Sequence, residues 1–191
     1  GLTSPDIILL HKNLAKLKKN KVENVIIEAS SHGLHQNRLD NLNFKAGIFT
    51  NFSQDHLDYH KTMKEYLKSK LTLFSKLLGK NKYIIADKTL KEYPILKKIS
   101  KNKKLQLLDA DKTFDYIKNL SLPLIGTFQF KNLSKAILAA RLCNLGDDNI
   151  NKALKDIKSV EGRLNLIKKY PSNIKVFIDY AHTPDALSEV L

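Results

Sequence analysis

Cysteine is almost missing from this chain: Cys143 stands alone. A disulfide framework is thereby excluded, and a reducing compartment suits the composition. Cys143 lies in an apolar helical pattern and reads as a small core residue. No secretory h-region and no apolar run long enough to span a membrane is present, so a soluble, cytoplasmic protein is expected. Arginine is scarce, at Arg38, Arg141 and Arg163 only, so nearly all of the formal +14 net charge is lysine. Those lysines are scattered along the chain, without a stripe or an interleaving of aromatics. A nucleic-acid binder uses more arginine and stacking aromatics. The charge therefore reads as a solvated basic surface that helps attract anionic nucleotides, and no nucleic-acid or membrane partner is expected. A Gly-x-x-x-x-Gly-Lys-[Ser/Thr] phosphate loop is also absent.

What is there suffices for a core: 42% of the 191 residues are hydrophobic, enough for one large domain or one domain and part of another. The informative stretch runs from Glu28 to Lys70. Two short apolar runs, Val25–Ile27 and Ala46–Phe49, each stop at a polar cluster. The first cluster holds Glu28, Ser30, Ser31, His32, Gln36 and Arg38; the second holds Thr50, Asn51, Asp55, His56, Asp58 and His60. Such runs read as buried parallel strands of an α/β fold. Ligands in open α/β sheets bind beyond the carboxyl ends of the strands. Glu28 and His56 are thus placed to share one site.

A helix follows the second run. At about 100° per residue from Met63, residues Met63, Tyr66, Leu67, Leu71, Phe74, Leu77 and Leu78 form one apolar stripe. Lys70 falls inside it, while Lys61, Lys64, Lys68 and Lys76 fall outside. A lysine on a buried face is costly unless paired, neutral or modified. Two readings stay open at this point: a snorkelling side chain, or a nucleophilic amine that captures carbon dioxide as an anionic, metal-holding carbamate.

The remaining elements are read more coarsely. Ser4 is an N-cap with Pro5 at the first helical position, opening a helix through Ile8, Leu9, Leu14 and Leu17. Tyr83–Ala86 and Leu105–Leu108 read as strands, with a helix near Thr89–Ser100 between them, and Asp115–Ile125 is a candidate edge strand. Helices are expected over Leu133–Leu145 and about Asp148–Lys158, broken by Gly146-Asp147. Asn173–Asp179 reads as a strand of a following domain.

EASSHGLHQNRLD followed by TNFSQDHLDYHKTMKEYLKSK closely resembles the central domain of the Mur ligase family, and within it the MurE type. Val160-Glu161-Gly162-Arg163 and Asp179-Tyr180-Ala181-His182-Thr183-Pro184-Asp185-Ala186-Leu187 extend the resemblance over nearly the whole chain. It implies a mostly parallel, doubly wound sheet of the P-loop ATPase type lacking its first strand and P-loop, at residues 1–160. The start of a Rossmann-like C-terminal domain would follow at 161–191. The activity implied is ATP-dependent amide formation in peptidoglycan precursor synthesis, on UDP-muramyl dipeptide and an amino acid, either meso-diaminopimelate or lysine, by a monomer. Another Mur ligase or folylpolyglutamate synthase, and a basic nucleic-acid-binding domain, are the alternative readings.

Residue by residue, the resemblance assigns Glu28 and His56 to a magnesium ion near the γ-phosphate of ATP. Lys70 becomes the carbamylated lysine that holds a second metal or orients phosphate. Thr3 and Ser4 stand where the family has a Thr-Thr-Pro segment that contacts substrate, and Ser30, Gln36 and Arg38 match substrate-binding positions. Arg38 suits an anion because its fork grips a carboxylate or phosphate in two places. His32 and His35 read as structural or rim residues, and Asp55, Asp58 and His60 as loop-shaping ones. Asn132 matches an adenine-side asparagine, Gln129 replaces another, Arg163 approaches the nucleotide, and Asp179 lies near the ribose. The family's phosphate loop lies upstream of the segment that matches Thr3 and Ser4, so this chain is expected to be inactive by itself.

Overall fold

A computed structural model of the chain describes residues 3–191. It divides into two compact units. The first holds residues 3–52, 56–85 and 91–108; the second holds 53–55, 86–90 and 109–191.

In the first unit, a helix α1 (Ile7–Lys19) is followed by a one-turn helix α2 (Ser31–His35), a strand β1 (Ala46–Ile48) and a short helix α3 (Leu57–His60). Then come helix α4 (Met63–Thr72), a π-helical turn Leu73–Leu77, strand β2 (Tyr83–Ala86), helix α5 (Tyr93–Lys103) and strand β3 (Gln106–Asp109). The sheet order is β1-β2-β3, and β1 runs parallel to β2 with Gly47 opposite Ile84. Ile84, Ile85, Leu39, Leu78 and Leu96 are fully buried, as expected of strands and helices covered on both faces.

The stripe expected on α4 forms. Tyr66, Leu71, Phe74 and Leu78 are buried, and Lys61, Lys64, Lys68 and Lys76 are exposed. The helix starts because the Thr62 hydroxyl accepts the Glu65 N–H at 3.2 Å. It ends in the wider turn, where the Leu78 N–H reaches back five residues to the Leu73 carbonyl at 3.0 Å. The turn seats Leu73 and Phe74 against β1. A Cβ on Gly47 would come within 2.9 Å of the Phe74 ring and 3.2 Å of Leu73, so only glycine fits that point of the strand.

Three local expectations are corrected. Val25–Ile27 is no strand: residues 22–30 carry no regular secondary structure, and Ile26 is 91% exposed. A β-branched run becomes a strand only when a neighbour takes its backbone hydrogen bonds. The cap of α1 is Asp6, whose carboxylate accepts the Leu9 N–H at 3.0 Å; the Ser4 hydroxyl is engaged elsewhere. The candidate edge strand at 115–125 is replaced by a helix α6 (Asp111–Ile117) and the irregular chain that follows it.

The second unit contains α6, helix α7 (Thr127–Leu142), helix α8 (Asp147–Lys155), a hairpin of β4 (Asn165–Lys169) and β5 (Lys175–Ile178), and helix α9 (Pro184–Val190). Ile117, Ile137, Ile150 and Leu154 form its core, with Phe130 and Leu133 packed against them. The strand expected at 173–179 is β5. Its antiparallel partner β4 was not anticipated, and every β5 position is exposed.

Candidate active site

The residues singled out before α2 are held by Ser4. Its side chain is wholly buried, with 0% of its surface exposed. The hydroxyl donates to the Glu28 carbonyl at 2.9 Å, accepts the Ser30 N–H at 3.1 Å and lies 3.0 Å from the Ser30 hydroxyl. The Ser30 hydroxyl in turn caps α2 by accepting the Gly33 N–H at 3.1 Å. A Cβ on Gly33 would lie 2.7 Å from the Ser4 Cβ, so this knot closes only around glycine. Ser4 thus ties residues 3–5 to the stretch 28–33. Thr3 and the Glu28 side chain are exposed beside it.

The Ser4 carbonyl also accepts a hydrogen bond from an Arg38 terminal nitrogen at 2.9 Å. The other terminal nitrogen donates to the Gln36 amide oxygen. Gln36 Nε2 donates to the Tyr59 hydroxyl at 2.9 Å, and the His35 ring nitrogen Nδ1 lies 2.8 Å from that hydroxyl. The structure therefore brings Ser4, Ser30, Gln36 and Arg38 together, and adds Tyr59.

Around α3 the side chains form an aromatic cluster. The His32 ring lies 4.1 Å from Tyr59, 5.0 Å from His56 and 5.5 Å from His60, centre to centre. His60 stacks on Tyr66 at 5.2 Å, and its Nε2 pairs with the Ser31 hydroxyl at 2.9 Å. Burial, followed by repulsion from His56, holds the His32 ring below the usual histidine range. His60 is lowered likewise, by burial and then by His32, His35 and His56. His56, exposed and in the left-handed region at φ 54°, meets the Tyr66 ring edge-on at 5.7 Å. Lys70, half-buried one turn along α4, donates from Nζ to the Tyr66 hydroxyl at 3.3 Å and sits 5.1 Å from the ring centre. Tyr66 therefore links His56 to Lys70.

No group of three or more His, Cys, Asp or Glu side chains able to hold a metal forms among the described residues. The candidate donors are one carboxylate, Glu28, and one imidazole, His56. A hard cation that keeps most of its ligands as water and phosphate oxygen fits so sparse a set.

In the second unit, the Asp179 carboxylate accepts the Leu164 N–H at 2.6 Å and the Ala181 N–H at 2.7 Å. The Arg163 guanidinium lies 5.2 Å from the Tyr180 ring centre, and the Arg163 carbonyl accepts from Gln129 Nε2 at 2.9 Å. Gln129, the departure from the family pattern, is buried and ties α7 to the segment that carries Arg163. Asn132 is exposed on the same helix. Sequence reasoning overlooked a further group here. Buried Asp87 accepts the Thr89 N–H and hydroxyl at 2.8 and 2.6 Å and pairs with Lys131 at 3.2 Å. Lys135, 3% exposed, donates to the Lys131 carbonyl at 3.1 Å, and burial lowers the pKa of its amine. An acid directly after the end of the buried run Tyr83–Ala86 was the available signal.

The model of the Mur ligase middle domain matches residues 1–140. The chain belongs to the Mur ligase family. A UDP-N-acetylmuramoyl-L-alanyl-D-glutamate--2,6-diaminopimelate ligase of Rickettsia montanensis is 35% identical over 211 residues, covering 100% of this chain and 43% of that protein. The enzyme of the same name from Aquifex aeolicus is 40% identical, with 100% and 42% covered. A solved structure of a ligase of that name superposes with a TM-score of 0.63 at 25% identity, over 85% of this chain and 38% of the other. MurF from Acinetobacter baumannii shares the fold, with a TM-score of 0.60 at 15% identity. The chain thus spans less than half the length of these curated relatives, and within the family its relatives are of the MurE type. The fold class expected of this Mur ligase segment, α/β with a parallel pairing in its sheet, is the one observed.

Proposed function

We propose that this chain forms part of an ATP-dependent ligase that joins an amine to UDP-muramyl dipeptide, with meso-diaminopimelate as the amine. The grouping of His56 and Lys70 about the Tyr66 ring of α4 carries the reading. The names of the relatives supply the substrate.

In the proposed reaction, a carboxylate oxygen of the D-glutamyl residue attacks the γ-phosphorus of ATP and ADP leaves. The amine nitrogen then attacks the acyl phosphate carbon, phosphate leaves and the amine gives up a proton. Magnesium, when bound, would neutralise phosphate charge. Glu28 and His56 are the residues that would hold it. Lys70 gains an anionic function by adding carbon dioxide: its nitrogen bonds to the carbon, a proton is released, and a carbamate stands where the ammonium was. Tyr66 then donates to that carbamate. Arg38 grips an anionic group of the muramyl dipeptide, beside Ser30, Gln36 and the Thr3-Ser4 segment. Asn132, Arg163 and Asp179 are the residues that the family resemblance assigns to the nucleotide. No step requires a covalent nucleophile from the protein.

The test is Lys70→Ala in the intact protein. Amide formation should be lost, whereas Lys70→Arg should fold normally and stay inactive. Near-normal turnover by Lys70→Ala, independent of bicarbonate, would refute the carbamate role.

A further inference from the structure

We propose that Tyr59 is a positioning residue for Arg38, acting through Gln36, and so ties the grip on the anionic substrate to the folded state of the His56 segment. The proposal rests on the reading of Arg38 as an anion site.

The orientation of Gln36 dictates the relay. An arginine can only donate, so Gln36 must turn its amide oxygen to Arg38. Its Nε2 then points the other way and needs an acceptor, which the Tyr59 hydroxyl supplies at 2.9 Å. His35 lies on that hydroxyl's other side at 2.8 Å. Without the hydroxyl, the described contacts leave the Gln36 amide held by Arg38 alone, with its Nε2 turned to water, and the brace on Arg38 loosens. Gln36 is exposed, so water would compete for its amide, and the loss should weaken the grip without unfolding the site.

Arg38 is braced on both terminal nitrogens, by the Ser4 carbonyl and by Gln36. Each of those nitrogens keeps one N–H for a ligand, and Nε adds a third. Two fixed braces set the plane of the fork, and that plane decides whether a carboxylate or phosphate can be met by two bonds at once. Tyr59 belongs to α3, whose N-cap is His56, and its ring packs on His32, which in turn touches His56. Arg38 is therefore in its gripping plane only while α3 is formed.

Steady-state kinetics of the intact protein with Tyr59→Phe test this. The ring and its packing remain, and one hydroxyl goes. The KM for UDP-muramyl dipeptide should rise about fivefold, the scale of one neutral hydrogen bond, while kcat and the thermal unfolding curve stay at wild-type values. In an Arg38→Ala background, Tyr59→Phe should add nothing further. A wild-type KM for Tyr59→Phe where Arg38→Ala raises it, or additive effects in the double variant, would overturn the positioning role. An unchanged KM for Arg38→Ala would instead refute the anion-site reading. In that case the Arg38 side-chain resonance in 15N-arginine-labelled protein still decides the contact: a shift on Tyr59→Phe supports the brace, and an unmoved resonance overturns it.

Discussion

At the scale of single residues, the site is governed by close approach and by burial of groups that titrate. Gly33 shows the first. Its backbone lies where any side chain would strike Ser4 at 2.7 to 2.8 Å and the Ser30 hydroxyl at 3.1 Å. Gly33→Ala should cost about 1–3 kcal/mol as the Ser4 knot is pushed apart, readable as a lowered denaturant midpoint with an unchanged slope. His60 shows the second. The groups that act on it are His32, His35, His56 and, in the opposite sense, Glu65. Its folded pKa is depressed below the ordinary 6.5, so the unfolded chain takes up the proton first. Its contribution to stability is present above pH 6.5 and is lost as the pH falls below that value. Thermal unfolding followed from pH 7.5 down to 5 should show this decline, and His60→Gln should flatten it. Neither residue was legible as to role. His60 read as loop-shaping, yet it is a buried ring stacked on Tyr66.

At the scale of elements, legibility tracked hydrophobic period. α4 was readable because seven apolar positions fall on one face, and the structure buries that face with Lys70 at its edge. β1 and β2 were readable because short apolar runs in a covered sheet need no alternation. The Val25–Ile27 run looked the same and is not a strand, since the pattern records an appetite for a partner and not the partner itself. The hairpin partner β4 was hidden for the opposite reason. Its sequence, Asn-Leu-Ile-Lys-Lys, is half polar and its last three positions are exposed. The α4 cap yields an element-scale prediction. Thr62→Ala removes the acceptor of the Glu65 N–H and should cost about 1 kcal/mol of helix stability. Amide exchange in the first turn of α4 should speed up about fivefold if that cost is local.

At the scale of the whole molecule, charge and length set what the chain can do alone. The +14 net charge is spread over lysines, so binding to random duplex DNA should be weak, should show no sequence preference and should vanish between 50 and 200 mM salt. Tight binding that persists at physiological salt would revive the nucleic-acid reading. The chain also carries no Gly-x-x-x-x-Gly-Lys-[Ser/Thr] loop.

The sequence by itself determined the family, the places of β1, β2, β5 and α4, and which residue types stand at their ends. Those are local matters: motif spacing along one stretch of chain, and apolar period within one element. Only the tertiary structure decided which of those residues touch. Tyr59 and Gln36 are 23 positions apart, Ser4 and Arg38 are 34 apart, and Gln129 and the Arg163 carbonyl are 34 apart. A hydrogen bond between such positions needs both backbones placed to within a fraction of an ångström, which core packing sets and no local pattern records.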